Sequence, residues 1–584
     1  MTPVFRRFLL SLLLLLSLAP AIRADDSRPN IIVVMPDDMG YGDTGATGNG
    51  VIRTPNLDRL ASEGAQLTDF YVSPVCSPTR ACLMTGRYNH RTRCIDTFKG
   101  RSMMDPEEVT IAEVLSGAGY ATGIFGKWHL GDNYPMRPQD QGFEEALIHR
   151  GGGLAQPSEP IANDNRYTDP ILIHNGEQKQ YKGYCTDIYF DAAIEFMTDA
   201  RERGKPFFVY LPPNAPHGPY HDVPEDLLAY YQSIDLSPIL NGNESEKHID
   251  TVARVSAMVE NIDQNMGKMD AFLGRSGLFE NTIVLFFTDN GPNTLRYVGP
   301  FRGMKSHVHE GGIRTMFFAR WPAKFEPGHA SGRPAAHIDL FPTLLAAAEV
   351  SVPEGLALDG ENVLPQLLGE KEEWDDRPIV IQSHRGNKPV EFHHFMVRKG
   401  DWKLLRGTGF GSESIKEPKP FELYEITKDA GEEHDFAAAM PEKVEEMKQT
   451  YLEWLADVSS TRERNFAPPL IVIGDEAELL TDLSIQDWRV PNGAQGWGEG
   501  GKWHVRFAAE GPYRVAIRWK ESIGAREVTL KIGEELYRGA LQEGATEVVF
   551  PELLVSPGDT LVSVEMDGGM KRETVLRFVT FQKK

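Results

Sequence analysis

The sequence predicts an α/β protein: a large mixed, mainly parallel sheet flanked by helices, followed by a small α+β subdomain and an appended β-sandwich. Three observations carry this reading. Short continuous apolar runs end abruptly in polar clusters, the pattern of strands buried on both faces of a parallel sheet. Helical periodicity separates those runs. Beyond about residue 390 the runs shorten and begin to alternate with polar residues, as in antiparallel sheets with one exposed face.

The first run is Asn30 to Met35 (NIIVVM), closed by Pro36 and followed at once by Asp37 and Asp38. A shorter run, Thr122 to Phe125, leads into Lys127 and His129; Pro206 to Leu211 (PFFVYL) leads into Asn214, Pro216 and His217; Thr282 to Thr288 (TIVLFFT) leads into Asp289, Asn290 and Gly291. Between them, Val252, Val255, Val259, Ile262, Met266, Met269 and Leu273 recur every three or four residues, which predicts a helix. In a parallel sheet the C-terminal strand ends lie along one edge, where ligands bind, so these four polar clusters are expected to converge.

Farther on, FHHFMVRK, DWKLLRG and FELYEIT read as strands and Pro441 to Leu455 as a helix. A charged, Pro-containing stretch (TRERNFAPP) begins at Thr461. After it, Tyr513, Val515, Ile517, Trp519 and then Val575, Arg577, Val579 alternate between turn signals, as in an all-β sandwich. The boundaries that follow are a leader over 1–24, a catalytic α/β domain over 25–385, the α+β subdomain over 386–460 and the β-sandwich over 466–584.

The 584 residues are ample for several domains. Asp and Glu number 84 against 61 Lys and Arg, a formal charge of −23, which is the wrong sign for coating nucleic-acid phosphates. A hydrophobic fraction of 41% fits a globular protein and argues against a polytopic membrane protein, and four cysteines are too few for a disulfide framework. At the N-terminus Arg6 and Arg7 precede an apolar run from Phe8 to Leu18, and Ala19-Pro20-Ala21 offers a small-x-small cleavage site, the pattern of a secretory leader. The run is far shorter than the ~20 residues that span a bilayer, so the expectation is export, to a periplasm or beyond, without stable membrane insertion. Export permits a disulfide, and Cys94 and Cys185 are the candidates, although their spacing does not show that they meet.

Asp37 and Asp38 after one strand and Asp289 with Asn290 after another supply oxygen ligands, a set that suits a hard cation such as Ca²⁺ or Mg²⁺. Either pair alone reads better as a turn or a helix cap. Two pairs flush against buried strands point to one shared ion. The stretch Val75 to Arg87 (VCSPTRACLMTGR) adds a cysteine beside a helix start: Pro78 suits the first helical position, and Cys76 then lies where partial positive charge favours an anion. A lone Cys there is ordinarily a buried small hydrophobe or a thiolate nucleophile.

Cys76-Ser77-Pro78-Thr79-Arg80 followed by Leu83-Met84-Thr85-Gly86-Arg87 resembles the sulfatase signature, in which the Cys is oxidised to formylglycine. The resemblance to the formylglycine sulfatases of the alkaline phosphatase superfamily extends over roughly residues 28 to 455. Asn30 to Gly42 is similar to the family's opening strand and first metal loop, and Gly119 to Gly131 (GYATGIFGKWHLG) to its second signature. Asn214 to Pro219 (NAPHGP), Thr288 to Gly291, Arg302 to Lys305 with Glu310 to Arg314, and Glu422 to Ala437 match further segments. Where some members place a small hydroxyl residue near the middle of the site, this chain reads His149-Arg150-Gly151-Gly152-Gly153.

The resemblance implies hydrolysis of a sulfate monoester, on a carbohydrate or aryl group, to an alcohol and inorganic sulfate. Residue 76 as hydrated formylglycine would offer a geminal diol whose one hydroxyl attacks sulfur, and Arg80 would fix that diol through its rigid fork of donors. Lys127 and Lys305 would bind the sulfate oxygens, His217 would protonate the departing oxygen, and His129 would deprotonate the second hydroxyl to expel sulfate. One cation, Ca²⁺ in preference to Mg²⁺, would be held by Asp37, Asp38, residue Cys76 itself, Asp289 and Asn290. A formylglycine-generating enzyme is the implied maturation partner. The rival readings are a phosphonate or phosphate ester hydrolase of the same superfamily and a non-catalytic carbohydrate-binding protein that leaves Cys76 unconverted. For the β-sandwich, Trp488, Trp497 and Trp503 around the Gly-rich NGAQGWGEGG allow a sugar-stacking surface, with a merely covering module as the alternative; Trp519 is expected in the core.

Overall fold

The computed structural model describes residues 28–584 apart from 155, 164–165, 371–375, 494–496, 498–499 and 571–575, so the leader over 1–24 and Val575 lie outside the described residues. Among those described, no helix is long and apolar enough to cross a membrane. A ten-stranded sheet forms the centre, in the order His329–Ser331, Ala65–Leu67, Phe317–Arg320, Thr282–Phe287, Asn30–Val34, Phe207–Leu211, Ala121–Lys127, Glu145–His149, Ile171–His174, Glu177–Gln180. The five strands from Thr282–Phe287 to Glu145–His149 are all parallel, and antiparallel pairing appears on either side of them.

The apolar runs are uninterrupted because both faces of this sheet are covered. Ile32, Val34, Val209, Leu211, Val284 and Phe286 pack on the side of helices Cys185–Glu202 and Glu246–Ser276. Ile31, Val33, Phe208, Tyr210, Ile283 and Leu285 pack on the opposite side, with helices Cys76–Thr85, Ile111–Gly117 and Leu340–Ala347. Burial of each such side chain contributes about 1.5–3 kcal/mol. The period-2 alternation also settles the cysteine pair. Cys185 is buried in the first layer and Cys94 in the second, so the sheet separates them, and both are free thiols. The disulfide expectation is thereby corrected. The periodic segment forms a helix over Glu246–Ser276, longer than its apolar stripe, and ends at Gly277 in the left-handed conformation, φ 71°.

The second sheet is antiparallel, in the order Ile379–Gln382, Phe395–Lys399, Trp402–Arg406, Glu422–Glu425. Its first strand precedes residue 386. Helix Pro441–Ser459 covers it through Val444, Met447 and Tyr451. The C-terminal segment folds as a five-stranded and a four-stranded sheet around one core, into which Tyr513, Val515 and Ile517 all point.

Trp488 and Trp503 belong to that core, each 0% exposed, which corrects the expectation of an aromatic sugar platform there. The reason is that both rings pack among apolar side chains inside. Their rings pack 5.4 Å apart, and Trp503 Nε1 donates to the Ser484 carbonyl at 2.6 Å. Trp519 is buried as the alternation implied. Trp497 is half-buried, its ring edge-on against Phe98 of the α/β domain at 4.8 Å. The same core also holds Met103 and Met136 from the α/β domain.

Candidate active site

The four polar clusters do meet at the C-terminal edge of the parallel strands, His217 lying beyond the end of Phe207–Leu211. Asp37 and Asp38 follow Asn30–Val34, Lys127 ends Ala121–Lys127, and Asp289 and Asn290 follow Thr282–Phe287. Cys76 is the first residue of helix Cys76–Thr85, which therefore starts two residues before Pro78. The difference costs little, because the first backbone N–H groups of a helix have no internal acceptor and Pro78 lacks only one of these. Cys76 therefore sits at the positive end of the helix, 3% exposed.

Three side chains of the opposite charge surround the acids. Lys127 Nζ lies 2.5 Å from Asp37 Oδ2, and Lys305 Nζ lies on Asp38 Oδ1. Arg80, 0% exposed, donates from Nη2 to Asp289 Oδ2 at 2.8 Å and from Nη1 to the Lys127 carbonyl at 2.7 Å. Burial would raise the Asp37 carboxyl, but Lys127, His217, Lys305 and Arg80 outweigh it and hold the group well below the usual carboxylate range. Asp289 is pushed up instead, by burial and by its neighbour Asp37. Burial also pushes the Cys76 thiol up, against Lys127 and Lys305. As an ordinary cysteine, residue 76 is a protonated thiol and a poor nucleophile.

The acids fit a hard cation. Asp37 Oδ1, Asp38 Oδ2 and Asn290 Oδ1 are buried and make no hydrogen bond, three oxygens with their lone pairs unclaimed. Asp37, Cys76 and Asp289 each offer an atom within 4.8 Å of the others, and so do Asp37, Asp38 and His217. The orientation of the set is determined by its neighbours: Asn290 Nδ2 donates to Asp38 Oδ1 at 2.9 Å, which turns its Oδ1 inward, and the Asp38 backbone N–H donates to Asp289 Oδ1 at 3.3 Å. Asp38 adopts φ 66°, a left-handed conformation that Asp tolerates better than most residues.

The two histidines present different nitrogens. His217 donates from Nδ1 to the Gly218 carbonyl at 2.7 Å, leaving Nε2 toward the acids, 3.7 Å from Asp38 Oδ2. Burial lowers the pKa of His217, with Asp37 and Asp38 opposing. His129, also left-handed at φ 59°, has Nε2 2.8 Å from the Thr97 carbonyl; a carbonyl only accepts, so Nε2 carries the proton and the buried Nδ1 is bare. Burial, with Lys127 and Arg80, keeps this ring neutral by depressing its pKa well below the ordinary value.

The chain between the two rings has no room for side chains. A Cβ on Gly152 would stand 2.5 Å from His129 Cε1, and one on Gly153 would stand 2.9 Å from His217 Cε1. Bare backbone thus runs where a hydroxyl residue was sought, which explains the lack of one in His149 to Gly153. Sequence reasoning missed the Thr97 carbonyl and Gln486, whose Nε2 lies 3.3 Å from His129 Nε2. Backbone acceptors carry no residue signature, and Gln486 belongs to a different domain. Glu310, from the segment after Lys305, is an anchor: it and Glu432 share Lys403, all fully buried, tying this loop to the α+β subdomain.

The family model described as Sulfatase matches residues 29–350, and the model described as N-sulphoglucosamine sulphohydrolase, C-terminal, matches residues 303–459. The chain is 30% identical over 527 residues to N-acetylgalactosamine-6-sulfatase of Canis lupus familiaris, covering 82% of this chain and 94% of that protein. It is 31% identical to arylsulfatase A of Homo sapiens, over 75% of this chain and 90% of that one. Among solved structures, Ps i-CgsB in complex with k-i-k-neocarrahexaose matches with a TM-score of 0.65 at 28% identity, over 75% of this chain and 94% of that one. The phosphonate monoester hydrolase of Agrobacterium radiobacter, at 19% identity and a TM-score of 0.53, shares the fold.

Proposed function

The chain belongs to the sulfatase family and is a sulfuric ester hydrolase, and on that premise we propose that it removes sulfate from a sulfated carbohydrate by way of formylglycine at position 76 and one Ca²⁺. The observation that carries this reading is the position of Cys76. It stands at a helix N-terminus, ringed by Lys127, Lys305 and Arg80 and by the unclaimed oxygens of Asp37, Asp38 and Asn290. The relatives' names, and the carrahexaose complex of a similar structure, support a carbohydrate as the sulfated group.

Asp37, Asp38, Asp289, Asn290 and residue 76 would hold the cation, whose charge would offset three crowded carboxylates and draw electron density from a sulfate oxygen. Formylglycine, made from Cys76 by a formylglycine-generating enzyme, supplies on hydration a geminal diol with one hydroxyl to take the sulfo group and a second whose deprotonation expels sulfate.

The chain's own groups then have distinct tasks. Lys127 and Lys305 neutralise the sulfate oxygens, and Arg80 positions residue 76 while bridging Lys127 and Asp289. His217 offers Nε2, on the acid side, to the departing oxygen. His129 offers its bare Nδ1 as the base, with Nε2–H committed to Thr97. The bare glycine backbone at 152 and 153 lies against both rings, where any side chain would collide with them. The test is direct. Mass spectrometry of the peptide carrying residue 76 should give the aldehyde in place of the thiol, and the purified enzyme should release sulfate from an aryl sulfate faster than phosphate from the matching aryl phosphate. A fully thiol form of an active enzyme would refute the proposal.

A further inference from the structure

We propose that Gln486, contributed by the appended β-sandwich, is a positioning residue for His129, so that the module completes the active site. The proposal rests on the base role given to His129 above. Gln486 stands in the turn after strand Leu480–Ser484 and is 1% exposed. Its Nε2 lies 2.9 Å from the Thr97 carbonyl oxygen, 3.3 Å from Ser102 Oγ and 3.3 Å from His129 Nε2. His129 Nε2 meets the same Thr97 oxygen at 2.8 Å. One carbonyl therefore accepts from both side chains.

The chemistry of that oxygen determines the roles. Turning the Gln486 amide over would set its oxygen against the Thr97 oxygen, two acceptors face to face, so the NH₂ group points there and its two hydrogens go to Thr97 and Ser102. With no acceptor of its own aimed at the ring, Gln486 leaves the Nε2 proton of His129 on Thr97. Nδ1 is then the nitrogen left free to take a proton. What Gln486 supplies is the location of the acceptor that decides the tautomer.

The turn is itself held from the module's interior. Gln486 N–H donates to Ser484 Oγ at 3.2 Å, Asp487 N–H donates to the Ser484 carbonyl at 3.2 Å, and the buried Trp503 donates to that same carbonyl. From there the contact passes to the α/β domain. Gly100 N–H donates to the Gln486 carbonyl at 2.8 Å, and Arg489 Nη2 to the Gly100 carbonyl at 2.9 Å. The segment that presents Thr97 is thus clamped by the sandwich. The surrounding interface is broad and specific: Arg150 pairs with Asp482 at 3.2 Å, and Arg577 donates to the carbonyls of Gln156 and Glu159 beside the glycine run.

A base that acts only in the release of sulfate leaves a kinetic mark. Slowing that step lowers kcat and KM together and leaves kcat/KM, which reports the earlier sulfo transfer, unchanged. Gln486→Met keeps the side chain's length and removes the amide. It should lower kcat and KM in parallel, by roughly tenfold or more, the scale of a small misplacement of a catalytic group. Intact-mass spectrometry during turnover should show more enzyme retaining a sulfo group than in the wild type. Gln486→Glu, isosteric but without donors toward Thr97, should behave alike and serves if the first variant does not fold. His129→Gln is the reference and should give the same mark more strongly. A fall in kcat at constant KM without retained sulfo group, or wild-type kinetics, overturns the proposal and leaves the module a covering role. If His129→Gln itself lacks the mark, the base assignment fails and the role of Gln486 fails with it.

Discussion

Arg80 and Asp289 form an ion pair from which solvent is fully excluded, Nη2 to Oδ2 at 2.8 Å with neither side chain exposed. The same guanidinium reaches the Lys127 carbonyl, so one side chain joins the helix that starts at Cys76 to the ends of two central strands. Removing one partner of a buried pair strands the other charge, at a cost of about 3–5 kcal/mol. Arg80→Met should therefore lower the melting temperature as well as abolish activity. Arg80→Lys should rescue neither, because a point charge cannot serve the carboxylate and the carbonyl at once. Calorimetry that finds Arg80→Lys as stable and active as the wild type would contradict this account.

Residue 76 tests the nucleophile. Cys76→Ala removes it and should abolish turnover while the protein still folds. Cys76→Ser offers one hydroxyl where the release step calls for two, so at best a single burst of alcohol equal to the enzyme present is expected. Sustained turnover by Cys76→Ser would exclude the release step by elimination.

The cation should support fold and activity together. Asp37, Asp38 and Asp289 crowd their charges, and an ion that binds only the folded state at a hundred times its Kd adds about 2.7 kcal/mol of stability. A chelator should lower both the melting temperature and the rate, and added Ca²⁺ should restore both. Asp289→Ala should remove the response to chelator. Unchanged metal content in that variant, by elemental analysis, would be the contrary result.

Glu478 links stability to pH. It is buried at the seam between the sandwich and the α/β domain, accepting from the Tyr134 N–H and lying 3.5 Å from Arg137. Burial pushes its carboxyl up from 4.5 to about 7, with Arg137 and Arg150 opposing. The folded state thus binds the proton more tightly than the unfolded chain. Its contribution is fully present below pH 4.5 and is lost as pH rises through about 7, by about 3 kcal/mol at most. Glu478→Gln should raise the melting temperature at pH 8 and leave it nearly unchanged at pH 5. Equal shifts at both values would remove Glu478 from the explanation.

Truncation after Asn465 should damage the whole enzyme. It removes Gln486 and exposes Met103 and Met136, which are buried in the sandwich core. Activity on a small aryl sulfate and on a sulfated polysaccharide should fall by the same factor, or the product should be insoluble. Full activity on the aryl substrate alone would revive a detachable carbohydrate-binding role.

The sequence by itself determined the parallel sheet, since runs such as Asn30 to Val34 and Thr282 to Phe287 carry the mark of burial on both faces. It also determined which groups gather at the sheet edge, because Asp37, Lys127, His217 and Asp289 each lie at or within a few residues of the end of such a run, and strand direction alone brings those ends together. The motif from Cys76 to Arg87 pointed to the sulfatase family. Only the tertiary structure decided what depends on distance between segments without local pattern. It placed Cys94 and Cys185 on opposite faces of one sheet, buried Trp488 and Trp503 in a core of their own, and passed bare glycine backbone between His129 and His217. It also brought Gln486 to His129, a contact made by a single polar side chain and a backbone carbonyl, which no periodicity or spacing in the chain encodes.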